Sequence, residues 1–136
     1  MTVIVCVDDG GGMSFGGRRV SRDRAVTARI LERTGGRELW MSPYSAKLFE
    51  PLPENAHVSE EFLADAPEGA VCFVETCPIG DAAARAERIV RYLWNRRYPS
   101  DVRLDVDVTA APWRLVSREE FEGHSHERIT EEVYER

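Results

Sequence analysis

Apolar and polar positions alternate along this chain in patterns that predict its elements. Thr2–Val7 is almost wholly apolar and β-branched, the signature of a central strand buried on both faces. Gly10–Gly17 follows, with five glycines in eight residues, and predicts an irregular, mobile loop. Ser21 is placed as an N-cap with Asp23 in the first helical turn. Val26, Ile30 and Leu31 then repeat at helical spacing until Gly35-Gly36. Glu38–Met41 predicts a short strand. Ser42-Pro43 predicts a capped helix running to about Glu50, ahead of Pro51. Leu52–Asn55 reads as a turn, Ala56–Ser59 as a short strand and Glu60–Ala64 as a helical turn.

Ala70–Val74 predicts a second buried strand. Beyond it Asp81 can cap a helix, since Ala82, Ala86, Ile89, Val90, Leu93, Trp94 and Arg97 share one stripe to about Arg96. Val102, Leu104, Val106 and Val108 alternate with charged residues, as in a half-exposed strand. Trp113–Ser117 and His126–Tyr134 complete the list of strands. Strands and helices alternate first and strands alone close the chain. That order predicts an α/β three-layer sandwich with a mainly parallel twisted sheet and antiparallel C-terminal strands, in one domain over 136 residues.

Composition narrows the function. Net charge is −6, which disfavours nucleic acid as a partner, although Arg18, Arg19, Arg22 and Arg24 form a local basic run able to grip phosphates. No apolar run is long enough to span a membrane, and no basic stretch precedes an apolar one at the start, so the expected setting is cytoplasmic. Cys6, Cys72 and Cys77 lack metal-site spacing and read as reduced thiols. His124 and His126 would share a strand face, but the further ligands of a catalytic zinc site are missing, so no metal is expected. Asp8 and Asp9 end the first strand and read as a solvated turn.

In their order along the chain, several blocks resemble the dihydrofolate reductase family. They are the first strand, Gly12-Met13 in a glycine loop, Asp23 at a helix entry, Thr34-Gly-Gly-Arg37 before Leu-Trp-Met41, Ser45, Phe49-Glu-Pro-Leu-Pro53, Val71–Val74, and Trp113 with the closing Val133-Tyr-Glu-Arg136. The resemblance implies Asp23 as the substrate-binding acid and proton source. It implies Cys6, Met13, Phe15, Ser45 and Phe49 around a pterin-like or nucleotide substrate, and Gly12, Gly16, Gly17, Arg18 and Gly80 against NADPH. A cleft roofed by the glycine loop would raise the Asp23 pKa by desolvation.

The departures bear on the cofactor. Ser42-Pro43 replaces a Gly-Arg, and Glu75-Thr76 replaces the Gly-Gly pair that lets a diphosphate approach. Three functions stay open. One is an NADPH-dependent reductase, another is a non-catalytic small-molecule-binding or regulatory protein on the same scaffold, and the third is a nucleic-acid-processing protein. Monomer and homodimer are both compatible with the sequence.

Overall fold

A computed structural model describes residues 1–136. Its seven-stranded sheet has the order β5-β4-β6-β1-β7-β10-β9, in which β1 is Thr2–Val7, β4 Leu39–Met41, β5 Ala56–Val58, β6 Val71–Phe73, β7 Arg88–Leu93, β9 Arg114–Phe121 and β10 Ile129–Glu135. Strands β5, β4, β6, β1 and β7 are parallel, whereas β10 runs antiparallel to both β7 and β9. β1 lies at the centre, with both faces buried, as its unbroken apolar run demands.

Two cores form because side chains alternate across the sheet. On one face Ile4, Val71, Phe73, Val90 and Tyr92 pack under helix α1 (Arg24–Thr34) and helix α2 (Pro43–Ala46). On the other, Val3, Val5, Val7, Cys72 and Ile89 are covered by helix α3 (Phe62–Asp65), a 3₁₀ turn over Gly80–Arg85 and the irregular segment after residue 103. The layers are those expected, and the second outer layer is mostly loop.

Several local expectations are corrected. The helix expected from Asp81 to Arg96 is the 3₁₀ turn followed by β7. Ile89, Val90 and Tyr92 are β-formers, and the sheet offers that segment a partner on each side, β1 and β10, which outweighs a coincidental helical stripe. The glycine loop contains strand β2 (Gly12–Phe15), which pairs with β3 (Arg18–Arg19) and β8 (Val102–Arg103) in a small second sheet. Gly16 and Gly17 both have positive φ, at 58° and 76°, and form the two-residue hairpin turn that only glycine-like residues enter freely. Only Val102–Arg103 of the alternating stretch is strand, because Asp105 is drawn off to bind the backbone N–H of Ile79 and of Gly80, each at 2.9 Å. α2 ends at Ala46 and continues as tight turns to Phe49. The N-cap of α1 is Asp23 rather than Ser21, and its side chain accepts from Ala25 N–H at 2.8 Å. His126 lies before β10, in a loop, so the two histidines do not share a strand face.

Candidate functional site

Two buried carboxylates organise the end of the sheet where β1 and β7 finish. Asp8 is buried rather than solvated. Its Oδ1 accepts from Gly10 N–H and Gly12 N–H, and its Oδ2 accepts from Tyr98 N–H at 2.9 Å. This brings the Tyr98 ring back over the site. Burial would raise the Asp8 pKa, but those three N–H donors outweigh it and hold the group below the usual carboxylate range.

Asp23 is the second, with its side chain fully enclosed. Its Oδ1 accepts from Ala25 N–H and His124 N–H at 2.8 Å each. Its Oδ2 accepts from Ser125 N–H at 2.8 Å, Ser125 Oγ–H at 3.1 Å and His126 Nδ1 at 2.9 Å. Burial alone would raise its pKa. The donors at His124, His126, Ser125 and Ala25 reverse that, and the pKa falls well below the usual value. The expected upward shift is therefore corrected in sign: Asp23 is held ionised at neutral pH. Its roof is the Gly123–His126 loop, not the glycine hairpin. A Cβ at Gly123 would come within 2.6 Å of the His126 carbonyl oxygen and 2.8 Å of Asp23 Oδ2, so the close approach needs glycine.

An ionised Asp23 fixes the His126 tautomer. Nδ1 carries the proton, an assignment that follows from the hydrogen-bond network, and Nε2 is left as an acceptor. Ser21 Oγ–H lies 2.9 Å from that Nε2, and Tyr98 Oη–H lies 3.3 Å from both Nε2 and Ser21 Oγ. The imidazole stacks on Trp94, ring centres 4.7 Å apart. Asn95, in the left-handed region at φ 60°, donates to Arg128 C=O and Thr130 Oγ1, which pins the same loop from below. The indole N–H of Trp94 is buried and has no partner.

Two cavities flank this cluster. A small one of about 10 Å³, lined by Cys6, Ser21, Asp23, Phe73, Glu75 and Trp94 among others, holds a water at most. A groove of about 400 Å³ lies beside it, lined by Trp94, Asn95, Arg96, His126, Glu127 and Arg128. Next to the small cavity, Glu75 is buried and makes a two-pronged ion pair with Arg19 (2.7 and 3.0 Å) and accepts from Ser45 Oγ–H at 2.8 Å. Burial and the Glu75 carboxylate together push the Cys6 thiol well up, so it stays protonated and is no nucleophile.

The backbone thus brings Asp23 and Cys6 together, with Ser45 reached through Glu75. The other expected site residues are elsewhere. Met13 packs in the core on the opposite face of the sheet, and Phe49 is buried edge-on against Phe73. Phe15 is 56% exposed beside the Gly16-Gly17 hairpin turn, and Arg18 is exposed across from it. Gly12 is tight against Ser100, and Gly80 lies on the carboxylate of Asp105. Sequence reading missed the joint role of Ser21, Tyr98, Trp94 and His126. These four are spread over a hundred residues, and no spacing rule connects them. No group of three or more His, Cys, Asp or Glu side chains is placed to hold a metal.

No protein-family model matches the sequence, and no curated protein matches it either. Among solved structures, a dihydrofolate reductase from Enterococcus faecalis, complexed with NADP(H) and RAB-propyl, superposes with a TM-score of 0.70. The match covers 99% of this chain and 95% of that one at 12% identity. The chain has a dihydrofolate-reductase-like fold. At that identity the likeness carries the architecture and leaves the chemistry to the residues above.

Proposed function

We propose that this chain binds a small nucleotide-like or pterin-like molecule in the groove beside Trp94 and His126, and that it does so without NADPH. The observation that carries the reading is the groove itself, bordered by Arg96 and Arg128, with Trp94 in its wall and the indole N–H of that residue buried without a partner. A buried donor left without an acceptor costs about 1–3 kcal/mol, and a ring nitrogen or carbonyl oxygen of a ligand would recover it. Arg96, which has no carboxylate partner, and Arg128 border the groove and suit a phosphate or carboxylate on the same ligand. About 400 Å³ is the size of a small-ligand site.

The groups that a nicotinamide cofactor would need do not fit. Glu75 stands in place of an open glycine pair and is locked there by Arg19 and Ser45, so a diphosphate would meet a fixed carboxylate. The backbone donors of Ile79 and Gly80 are already taken by Asp105. Asp23 is ionised and has no proton to give. Reductase chemistry is accordingly not our reading for this chain.

Thermal melts and tryptophan fluorescence with AMP, GMP, dihydrofolate and NADPH test this. At a hundredfold excess over Kd, binding stabilises by about 2.7 kcal/mol, a shift of several degrees. We expect a mononucleotide or the pterin to raise the melting temperature, with the effect lost in Arg96→Ala. No shift with any of them at millimolar concentration overturns the binding reading. A shift with NADPH that AMP does not reproduce overturns the exclusion of the cofactor.

A further inference from the structure

Ser21, His126 and Asp23 stand in the order nucleophile, base and orienting carboxylate, with 2.9 Å between Ser21 Oγ and His126 Nε2 and 2.9 Å between His126 Nδ1 and Asp23 Oδ2. From this geometry we infer that Ser21 is a nucleophile and that the cluster hydrolyses small carboxylic esters or thioesters. The inference rests on the groove as a ligand site and adds an activity to it.

Each part has a physical reason to be where it is. Asp23 cannot rotate away, because three backbone N–H groups grip its two oxygens. It therefore holds the imidazole with Nε2 facing Ser21 and favours the imidazolium that forms when Nε2 accepts a proton. Trp94 fixes the ring plane by stacking. Tyr98 Oη, placed by Asp8 through the Tyr98 backbone, gives a second contact to Ser21 Oγ. Ser21 is half-buried and borders the small cavity, and the buried His126 lies between that cavity's wall and the groove it lines.

Charge developing on a carbonyl oxygen would also find donors. The backbone N–H groups of Arg22 and Asp23, which follow the serine, donate to no protein acceptor. They precede the first turn of the 11-residue helix α1, where the helix dipole is positive. A free amide directly after a nucleophilic serine is the recurring oxyanion donor of serine hydrolases on other folds.

The reaction balances without any oxidant or metal. Ser21 Oγ bonds to the acyl carbon while its proton passes to His126 Nε2. The bond from that carbon to the alkoxide or thiolate breaks, and His126 returns the proton to the leaving group. Water then attacks the acyl-serine, its proton again taken by His126, and the acid departs as Ser21 regains its hydrogen. The small cavity is too tight for an acyl group, so the ester carbonyl reaches Ser21 Oγ from the partly exposed side of that residue.

The test uses the intact chain with a fluorophosphonate probe and with p-nitrophenyl acetate. We expect one added probe mass on the protein, mapped by peptide sequencing to Ser21, and nitrophenolate release with an acyl burst. Ser21→Ala should abolish labelling, and His126→Asn should slow it by about 100-fold or more, the usual contribution of a positioned base. Labelling of the wild type should also depend on pH in a way that His126→Asn lacks. Folding of each variant is checked by circular dichroism, and the wild-type mass measurement needs no variant at all. An unchanged mass, an adduct on another residue, or equal nitrophenolate release by Ser21→Ala overturns the inference. Failure of the nucleotide melts together with a Ser21 adduct would remove the proposed ligand and leave the hydrolytic site standing.

Discussion

Replacing Asp23 by asparagine isolates the charge at the centre of the site. The carboxylate accepts from five donors, three of them backbone N–H groups at 2.8 Å and one a histidine ring. Asparagine keeps one oxygen and turns the other into an NH2 group. Some of the loss is recoverable, because the Ser125 hydroxyl can rotate and His126 can move its proton to Nε2. One backbone N–H is still left facing a donor, and every surviving bond loses its charge assistance. With charge-assisted bonds worth about 1.5–3 kcal/mol each, Asp23→Asn should cost about 3 kcal/mol at pH 7. For a domain of this size that is a fall of roughly 10 °C in Tm. Urea unfolding followed by fluorescence gives the number directly.

The pH dependence has a defined sign. The Asp23 pKa is lowered by folding, so its contribution is complete above the unfolded-state pKa of about 4 and fades as pH drops toward the folded-state value. The gap between wild type and variant should therefore narrow between pH 7 and pH 3. A loss under about 1 kcal/mol, or a gap that widens on acidification, would refute the assignment of Asp23 as the ionised anchor of the Gly123–His126 loop.

Three other substitutions probe the same architecture. Gly123→Ala places a methyl 2.6 Å from a backbone oxygen and 2.8 Å from Asp23 Oδ2, neither of which can yield cheaply, and calorimetry should show a loss of about 2 kcal/mol or more. Gly12→Ala drives a methyl into the Ser100 side chain and should lower stability, and the double variant with Ser100→Gly should regain most of the lost stability in urea. Tyr92→Phe removes a 2.7 Å hydrogen bond to the buried Glu131 and should cost about 1–2 kcal/mol, measured the same way.

The sheet was legible in the sequence wherever burial alone sets the pattern. Thr2–Val7 and Val71–Phe73 are buried on both faces, and their apolar runs say so. Legibility failed where two patterns overlap. Residues 82–97 carry a helical stripe and also a β-rich core, and only the neighbouring strands β1 and β10 decide between them. It failed again at Gly10–Gly17, where a glycine count suggests looseness and Gly16-Gly17, both at positive φ, instead make a tight turn. Asp23 was legible as an important position through the family resemblance, since a carboxylate at a helix start is by itself ordinary. Its charge state was not, since four of its five donors lie 101–103 residues away in sequence. Ser21 and His126 were visible only as a cap and a strand histidine until the fold joined them.

The placement of β10 between β7 and β9 affects how the polypeptide acquires its shape. Residues 129–135 fill the gap in the sheet, and residues 124–126 supply the donors that hold the Asp23 carboxylate. During synthesis the ribosome releases β1 and α1 long before either segment emerges. The nascent chain must therefore carry an open β7 edge and an unpaired Asp23 until residues 124–135 arrive. The sheet closes through pairings distant in sequence, the kind that form slowly. Over that interval the unpaired β7 edge is the kind of surface that invites aggregation.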